Sequence, residues 1–164
     1  MGIGGSAPAT LLKSPREIDI MARGGALLYA TLQHMKAHVR PGISTGELDA
    51  LCEAFIRSHA GAEPAFKGLY GFPGSACISI NEEVVHGMPG KRKLAEGDII
   101  GIDVGAIVDG FYSDAARTFA VGTIDAEKKK LIAVAKEALQ KGIDAAGVGQ
   151  HISDMSHAIE KAIK

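Results

Sequence analysis

Two aspartates, Asp103 and Asp114, are the residues whose types and spacing point most directly to chemistry. They flank an Asp-Gly pair at positions 109 and 110 that separates two runs rich in β-branched and aromatic residues. Asp-Gly between such runs predicts a β-hairpin, because both turn residues tolerate positive φ angles. With a two-residue loop, Asp103 lies opposite Ala116 and Asp114 lies opposite Gly105. The register therefore predicts that the two aspartates are diagonal neighbours.

Both carboxylates project from one face of this hairpin, about 7 Å apart at their Cβ atoms, since side chains alternate between faces. Like charges this close repel each other and raise one pKa unless a cation compensates. Small residues leave room beside them, whereas the opposite face is apolar and indicates the core side: Ile100, Ile102, Val104, Val108, Phe111 and Phe119. The pattern favours a divalent metal site. The alternative is a solvated face with two incidental aspartates.

Two further stretches carry residues suited to binding a substrate. His86 lies in a short predicted strand, residues 84–89, before a Pro-Gly break. A histidine beside flexible backbone can reach a substrate, although an isolated histidine is more often structural. The Gly-rich segment 66–74 is dense in aromatic side chains, which indicates the wall of an apolar pocket. A purely structural turn is the alternative for that segment.

The elements that must position these residues are predicted from caps and breaks. Ser-x-x-Glu capping boxes begin two helices, at Ser14 and Ser44. The first helix runs to about His38, and the second ends near residues 59–61. Asp125 caps a third helix, and a fourth follows a glycine break. These helices are expected to cover the sheet that holds the hairpin.

The opening helix pair resembles the closing pair, because each has the order helix, glycine break, helix, with the breaks at Gly42 and Gly147. The sequence therefore predicts one copy and a fraction of a two-copy design. We expect a flexible tail at residues 1–12, an N-terminal unit at residues 13–122, and the first helices of an incomplete second repeat at residues 123–164.

Length, composition and net charge limit the number of domains and the kinds of partner that the sequence can be expected to have. The 164 residues are 46% hydrophobic and carry a formal net charge of -1. One domain with a real core is expected, and nothing in the charge favours nucleic acid or an anionic membrane as a partner. The sequence shows neither an apolar run that could span a bilayer nor a signal-peptide pattern, which predicts a cytoplasmic protein.

Other side chains that could bind metal are interpreted as structural. Cys52 in a predicted helix and Cys77 in a predicted strand are interpreted as free thiols. The pair His34 and His38 has the i, i+4 spacing of a zinc site, but no third ligand lies nearby in the sequence. We therefore interpret both histidines as residues of a helix surface.

With these residues in hand, the chain resembles the N-terminal part of the type I methionine aminopeptidases. The motifs SPREIDIM, RPGISTGELD, CISINEEVVHGMP, GDIIGIDVGAIVDGFYSDAARTF and GVGQHISDMSHAIE match that family in order, from Lys13 to Lys164. The resemblance implies an α/β fold that is half of a pita-bread fold, with an antiparallel sheet, a central aspartate-bearing hairpin and covering helices. It also implies a hydrolase that removes N-terminal methionine from peptides and nascent proteins.

The resemblance further implies roles for the site residues. Asp103 would bind one ion through both oxygens, Asp114 would bridge two ions, and His86 would bind and polarise the substrate near the scissile amide. The methionine pocket is expected to be lined by Phe66, Leu69, Phe72 and Cys77. Leu69 stands where an aromatic residue is commoner. In the family, two divalent ions (Mn, Co, Fe or Zn) hold the hydroxide that attacks the first peptide carbonyl.

The chain departs from the family in its ligand set. The family's other ligands, one histidine and two glutamates, and its second catalytic histidine belong to the C-terminal half, so we expect a truncated enzyme that is inactive alone. His151, Asp154 and His157 have helical spacing, but their place in the repeat favours surface residues.

Two partners follow from this incomplete set. One is a complementary C-terminal half. The other is a second copy, in a homodimer that mimics the two-fold pita-bread and binds metal or peptide without catalysis. A peptide-binding module without metal is a third possibility, against which the repulsion within the intact aspartate pair argues.

Overall fold

The computed structural model describes residues 12–164. The chain divides into two compact units, one that ends at Val121 and a second that spans Gly122–Lys164. The tail predicted for residues 1–12 lies outside the described residues except for Leu12. Over residues 12–164, none of the helices combines the length and the apolar character that crossing a bilayer requires.

The described part of the first unit contains two helices, four strands and a short 3-10 turn. In chain order these are α1 (Pro15–His38), α2 (Thr45–Arg57), β1 (Ala62–Pro64), the 3-10 turn (Leu69–Gly71), β2 (Ala76–Ile80), β3 (Ile99–Val108) and β4 (Phe111–Ala120). The second unit contains α3 (Ala126–Asp144) and α4 (Ile152–Ile163). The predicted α/β class is confirmed.

Both predicted capping boxes are present. The Ser14 hydroxyl accepts from the Glu17 backbone N–H at 3.3 Å, and the Glu17 carboxylate accepts from the Ser14 N–H at 2.7 Å. Ser44 and Glu47 repeat the arrangement at 3.2 and 2.9 Å. Each box satisfies two backbone donors that a helix start leaves unpaired, which fixes where α1 and α2 begin.

The sheet is antiparallel and organised on β3. The strand β4 pairs with one edge of β3 along its whole length, while β1 and β2 share the other edge. The apolar face of β3 packs in a core with both helices of the unit. That core includes Leu28, Met35, Leu48, Ile56, Ile100, Ile102 and Val104. The opposite face of the sheet is left to carry the site residues.

The hairpin of β3 and β4 has the predicted register. Asp103 pairs with Ala116, and Gly105 pairs with Asp114. The two turn residues, at positions 109 and 110, have φ angles of 47° and 82°. Both angles are positive, as the tight turns that match the twist of antiparallel strands require. The turn therefore makes the two aspartates diagonal neighbours.

One local prediction was wrong, and one strand was missed. Residues 84–89 form no strand, because His86 has a φ of 59° and the segment contacts β2 through a single backbone bond, from the Ile78 N–H to the Gly87 carbonyl at 2.8 Å. The strand β1 was not predicted. It is three residues long and ends in Pro64, so it shows no alternating pattern that the sequence could display.

The helix α1 approaches the sheet most closely at Gly24. A Cβ atom added there would lie 2.3 Å from the Ser113 Oγ atom, whereas one added at Gly25 would meet no atom within 4 Å. Gly24→Ala is expected to leave the free energy of unfolding about 1 to 2 kcal/mol below that of Gly25→Ala, because the added carbon must push aside the Ser113 side chain while both variants gain helix propensity. Gly25→Ala is expected to raise it by about 0.5 to 1 kcal/mol through helix propensity. Urea denaturation of the two variants measures both changes, and equal changes would contradict this packing.

The second unit is a pair of helices. The Asp125 carboxylate caps α3 by accepting from the Lys128 backbone N–H at 2.8 Å, as predicted. Within the pair, a Cβ atom at Gly142 would lie 2.8 Å from the Ile159 Cδ1 atom, so the glycine permits close packing of α3 on α4. The predicted order of helix, glycine break and helix is therefore present.

Candidate metal and substrate site

One cavity of the first unit brings together every residue for which the sequence predicted a role in binding or chemistry. Its volume is about 490 Å³. It is lined by Phe66, Leu69, Tyr70, Gly71, Phe72, Pro73, Cys77, His86, Met88, Asp103 and Asp114. The lining combines two carboxylates and an imidazole with an aromatic wall. Such a cavity can hold a ligand that has a polar end and an apolar side chain.

The carboxylate pair is held by the register of β3 and β4. The Asp103 Oδ1 atom is buried and has no hydrogen-bond partner among the described residues. Burial raises the pKa of Asp103 to about 6, with a further contribution from the neighbouring Asp114, while His86 acts in the opposite direction. A partly buried carboxylate that has one oxygen without a partner, and that lies beside a second carboxylate, is costly for the metal-free protein.

The residues of this pair fit a divalent cation. A cation between the two carboxylates would give the orphaned Asp103 oxygen a partner and would turn the repulsion from Asp114 into shared attraction. Carboxylate and imidazole donors suit Mn, Fe, Co and Zn. Within residues 12–164, no cluster of three or more His, Cys, Asp or Glu side chains is arranged to hold an ion. The aspartate pair is therefore suited to be part of a ligand set.

His86 enters the cavity from an irregular segment that is pressed against β2. A Cβ atom added at Gly87 would lie 2.2 Å from the Ile78 carbonyl oxygen, so only glycine fits at that position. The Gly87 N–H donates to the Ser79 hydroxyl at 3.1 Å, and its carbonyl accepts from the Ile78 N–H at 2.8 Å. These contacts hold the left-handed conformation of His86 and place its side chain at the cavity.

The aromatic wall reaches further over the sheet than the sequence indicated. Gly105 was predicted to leave empty space beside the carboxylates, and that prediction was wrong. Gly105 is buried, and a Cβ atom added there would lie 2.5 Å from the Phe66 Cε1 atom. The ring of Phe66 therefore occupies this space, which brings the apolar wall directly beside Asp114, the strand partner of Gly105.

This contact yields a test of the wall. Gly105→Ala is expected to displace the Phe66 ring and to lower the free energy of unfolding by about 1 to 2 kcal/mol through overpacking. The matched control is Gly101→Ala on the same strand and face, where the nearest atoms lie 3.8 and 4.0 Å from the added carbon. That variant is expected to stay within about 0.5 kcal/mol of the parent. Denaturation in urea and the ring signals of Phe66 in NMR spectra distinguish the two variants. A Gly105→Ala variant with unchanged stability and unchanged ring signals would refute the packing of Phe66 on Gly105.

The sequence assigned no individual role to four members of the lining: Tyr70, Gly71, Pro73 and Met88. Tyr70 is fully exposed with a φ of 50°, and Met88 is 72% exposed. Tyr70 lies within the aromatic segment, and Met88 lies two residues after His86, so their places in those segments were the available signal. Both contribute apolar surface at the mouth of the cavity.

Both cysteines are free thiols, as predicted. Burial raises the pKa of Cys52 to about 12, with smaller contributions from Asp49 and Glu53. Burial also raises the pKa of Cys77, and the negative charges of Asp103 and Asp114 raise it further. Cys77 therefore presents a neutral thiol to the cavity and acts there as a small apolar group.

The remaining histidines lie outside this cavity. His34 stacks on Phe55 with ring centroids 4.5 Å apart, and it lies 4.6 Å from His38 by the same measure. These rings pack where α1 faces α2. His151 and His157 are exposed on the second unit, in agreement with the surface prediction.

Comparison with known proteins agrees with this geometry. Residues 19–164 match the model of metallopeptidase family M24. The chain is 50% identical over 154 residues to a methionine aminopeptidase of Clostridium perfringens, which covers 94% of this chain and 61% of that protein. It is 47% identical over 154 residues to methionine aminopeptidase 1 of Bacillus subtilis, with coverage of 94% and 62%.

Solved structures show the same fold. The methionine aminopeptidase of Rickettsia prowazekii superposes with a TM-score of 0.89 at 38% identity, covering 92% of this chain and 60% of that chain. A prolidase from Pyrococcus horikoshii, at 22% identity and a TM-score of 0.83, shares the fold. The chain therefore belongs to metallopeptidase family M24, whose members use divalent metals. The relatives of 50% and 47% identity are methionine aminopeptidases, and the chain spans 61% and 62% of their lengths.

Proposed function

We propose that this chain supplies the substrate pocket and two metal ligands of a cytoplasmic methionine aminopeptidase, which removes N-terminal methionine from peptides and nascent proteins. The observation that carries the proposal is a cavity in which a carboxylate pair meets an aromatic wall. The identity to methionine aminopeptidases over 94% of the chain supports it.

In this proposal, Asp103 and Asp114 bind two divalent cations from Mn, Co, Fe and Zn. Asp103 offers a buried oxygen without a partner, and Asp114 lies diagonally across the hairpin, so both can direct oxygens to one place. Bound divalent cations supply Lewis acidity and lower the pKa of water. The two strands supply a rigid base that keeps the ligand oxygens at a fixed separation.

The apolar wall selects the substrate side chain. Phe66 and Phe72 offer aromatic rings, and Leu69 and Cys77 offer smaller apolar surfaces. Methionine fits such a wall because its unbranched side chain adapts to irregular gaps and its sulfur makes favourable contacts with aromatic rings. His86 lines the same cavity beside the carboxylates, where its imidazole binds the substrate backbone near the scissile amide and polarises it.

We further propose that these residues do not hydrolyse peptides by themselves, because the described part of the chain holds no ion-binding cluster of three or more side chains. The missing ligands come from a further stretch of polypeptide. The test mixes the chain with the part of the Bacillus subtilis relative that it does not cover, and measures release of methionine from a Met-Ala peptide. Mn-dependent release by the mixture, and none by either polypeptide alone, is expected. Two folded polypeptides that give no metal-dependent release when mixed would refute the proposal.

A second candidate is a self-associating half-domain that binds metal or peptide without catalysis. Among the described residues, β4 pairs with no strand other than β3, so ten residues of edge remain open beside the carboxylate pair. An open edge of this length is a template for pairing with another chain. Size-exclusion chromatography with light scattering, with and without Mn, tests it. A dimer tightened by metal is expected from this candidate, and a monomer at high concentration would exclude it.

A further inference from the structure

Three polar side chains of α2 share one face of that helix. Thr45, Asp49 and Glu53 follow one another at intervals of four residues, which places them in a row along the helix. Two segments line the cavity: the aromatic segment, residues 66–74, and the segment that carries His86, residues 84–89. Each of the three side chains contacts a residue in or directly next to one of these segments. None of the three lines the cavity itself. The three residues can therefore affect the pocket only through the backbone and side chains of the segments that line it.

Asp49 holds the end of the aromatic segment. Its Oδ1 atom accepts from the backbone N–H groups of Ser75 and Ala76 at 2.7 and 2.9 Å. Cys77, a cavity residue, follows directly. The Asp49 carboxylate is half-buried, and burial raises its pKa although the two N–H donors act in the opposite direction. Hydrogen bonds to a charged acceptor in such a setting are among the stronger ones in proteins.

Glu53 holds the start of the same segment. Its Oε2 atom pairs with the Lys67 Nζ atom at 2.5 Å, and Lys67 directly follows Phe66. The aromatic segment is thus tied to α2 at both ends, four residues apart on the helix. Its central part, which includes the left-handed Tyr70, has fewer contacts with the rest of the unit: Tyr70 is fully exposed.

Thr45 holds the segment that carries His86. Its hydroxyl accepts from the Gly90 N–H at 2.8 Å. The two segments also contact each other, because a Cβ atom added at Gly74 would lie 2.4 Å from the Pro89 Cγ atom. The two cavity walls therefore contact each other, and both are tied to α2 in addition to the contacts of Gly87 with β2 and of Phe66 with Gly105.

We propose that Asp49 is a positioning residue that holds the aromatic segment in its ligand-binding conformation, with Glu53 and Thr45 fixing the other ends of the two walls. The ligand is the methionine side chain, so this inference rests on the proposed function. Asp49 acts through the backbone of Ser75 and Ala76 and does not touch the substrate.

The test compares Asp49→Ala with Asp109→Asn in the full chain. Asp109 is a matched control, since its carboxylate also joins two elements, through Arg23 at 2.6 Å, but at the hairpin turn away from the aromatic segment. Chymotrypsin cleavage after Tyr70, and amide hydrogen exchange at Ser75 and Ala76, report on the segment without any ligand. Both rates are expected to rise roughly tenfold in Asp49→Ala, after correction for global stability, because two charge-assisted bonds are lost.

Calorimetry of L-methionine amide binding, in the presence of Mn and the complementary part of the Bacillus subtilis relative, gives the second readout. The affinity for the amide is expected to fall roughly tenfold in Asp49→Ala and to stay within about twofold in Asp109→Asn. Asp49→Asn keeps one oxygen that can accept both bonds, so it is expected to restore most of the protection and affinity. This rescue separates hydrogen bonding from loss of charge.

Cleavage and exchange in Asp49→Ala that match those of Asp109→Asn would overturn the positioning role. If the unmodified chain, mixed with the complementary part of the Bacillus subtilis relative, binds no methionine amide, the proposed function fails, and the two ligand-free rates still decide the role of Asp49. Faster rates with unchanged affinity for methionine amide would also overturn the inference, because the segment would then be held for another purpose.

Discussion

Asp103→Asn is expected to weaken Mn binding strongly and, at the same time, to stabilise the metal-free protein. The variant removes a charged ligand whose Oδ1 atom is buried without a partner. Changes in the surroundings of metal ligands already weaken affinity 10- to 100-fold, so loss of the ligand charge is expected to weaken it by roughly 100-fold or more. The free energy of unfolding in the presence of a chelator is expected to rise by about 1 to 2 kcal/mol, because an unpaired charge is no longer buried beside Asp114.

Calorimetric titration with Mn measures the first effect, and urea denaturation in EDTA measures the second. Asp19→Asn is the control, since that aspartate is exposed on α1 and lies outside the cavity. It is expected to leave both quantities unchanged. A loss of metal affinity together with a gain in the stability of the metal-free protein is characteristic of a metal-ligand site. A variant that loses stability without losing Mn affinity would show that Asp103 is structural.

Gly87→Ala is expected to be the most destabilising single change near the site. The added Cβ atom would lie 2.2 Å from the Ile78 carbonyl oxygen and 2.8 Å from the Ser79 Cα atom. Both are backbone atoms of β2 and cannot rotate away, so the segment with His86 must leave the sheet. We expect a loss of about 3 kcal/mol in the free energy of unfolding, at the upper end of overpacking effects.

Gly90→Ala is the matched control in the same segment, because a Cβ atom there would meet no atom within 4 Å. Its effect is expected to stay within about 0.5 kcal/mol. Urea denaturation compares the two, and the imidazole signals of His86 in NMR spectra report its displacement. If Gly87→Ala were as stable as Gly90→Ala, the close approach to β2 would not exist in solution.

The hairpin could be predicted from the sequence because its determinants are local. The Asp-Gly turn requires positive φ angles at two adjacent residues, and once the turn is placed the register of Asp103 and Asp114 follows by counting. The capping boxes at Ser14 and Ser44 are equally local. In each case a few neighbouring residues determine the geometry without help from the rest of the chain.

The walls of the site could be predicted only in part. The order of aromatic residues indicated a pocket, but the contact of Phe66 with Gly105 joins residues 39 positions apart in the sequence. The left-handed conformation of His86 depends on contact of the following residue with β2, which no local pattern displays. The bonds from Asp49 to the start of β2 likewise depend on how a helix packs on a sheet.

Paramagnetic broadening of the backbone amide signals of the chain locates bound Mn directly. Substoichiometric Mn is expected to broaden first the signals of Asp103, Asp114 and His86, and L-methionine amide is then expected to shift those of Phe66 and Phe72. Broadening centred instead on His34 and His38, with the signal of Asp103 unaffected, would contradict this assignment. In that case the carboxylate pair would not be a metal site.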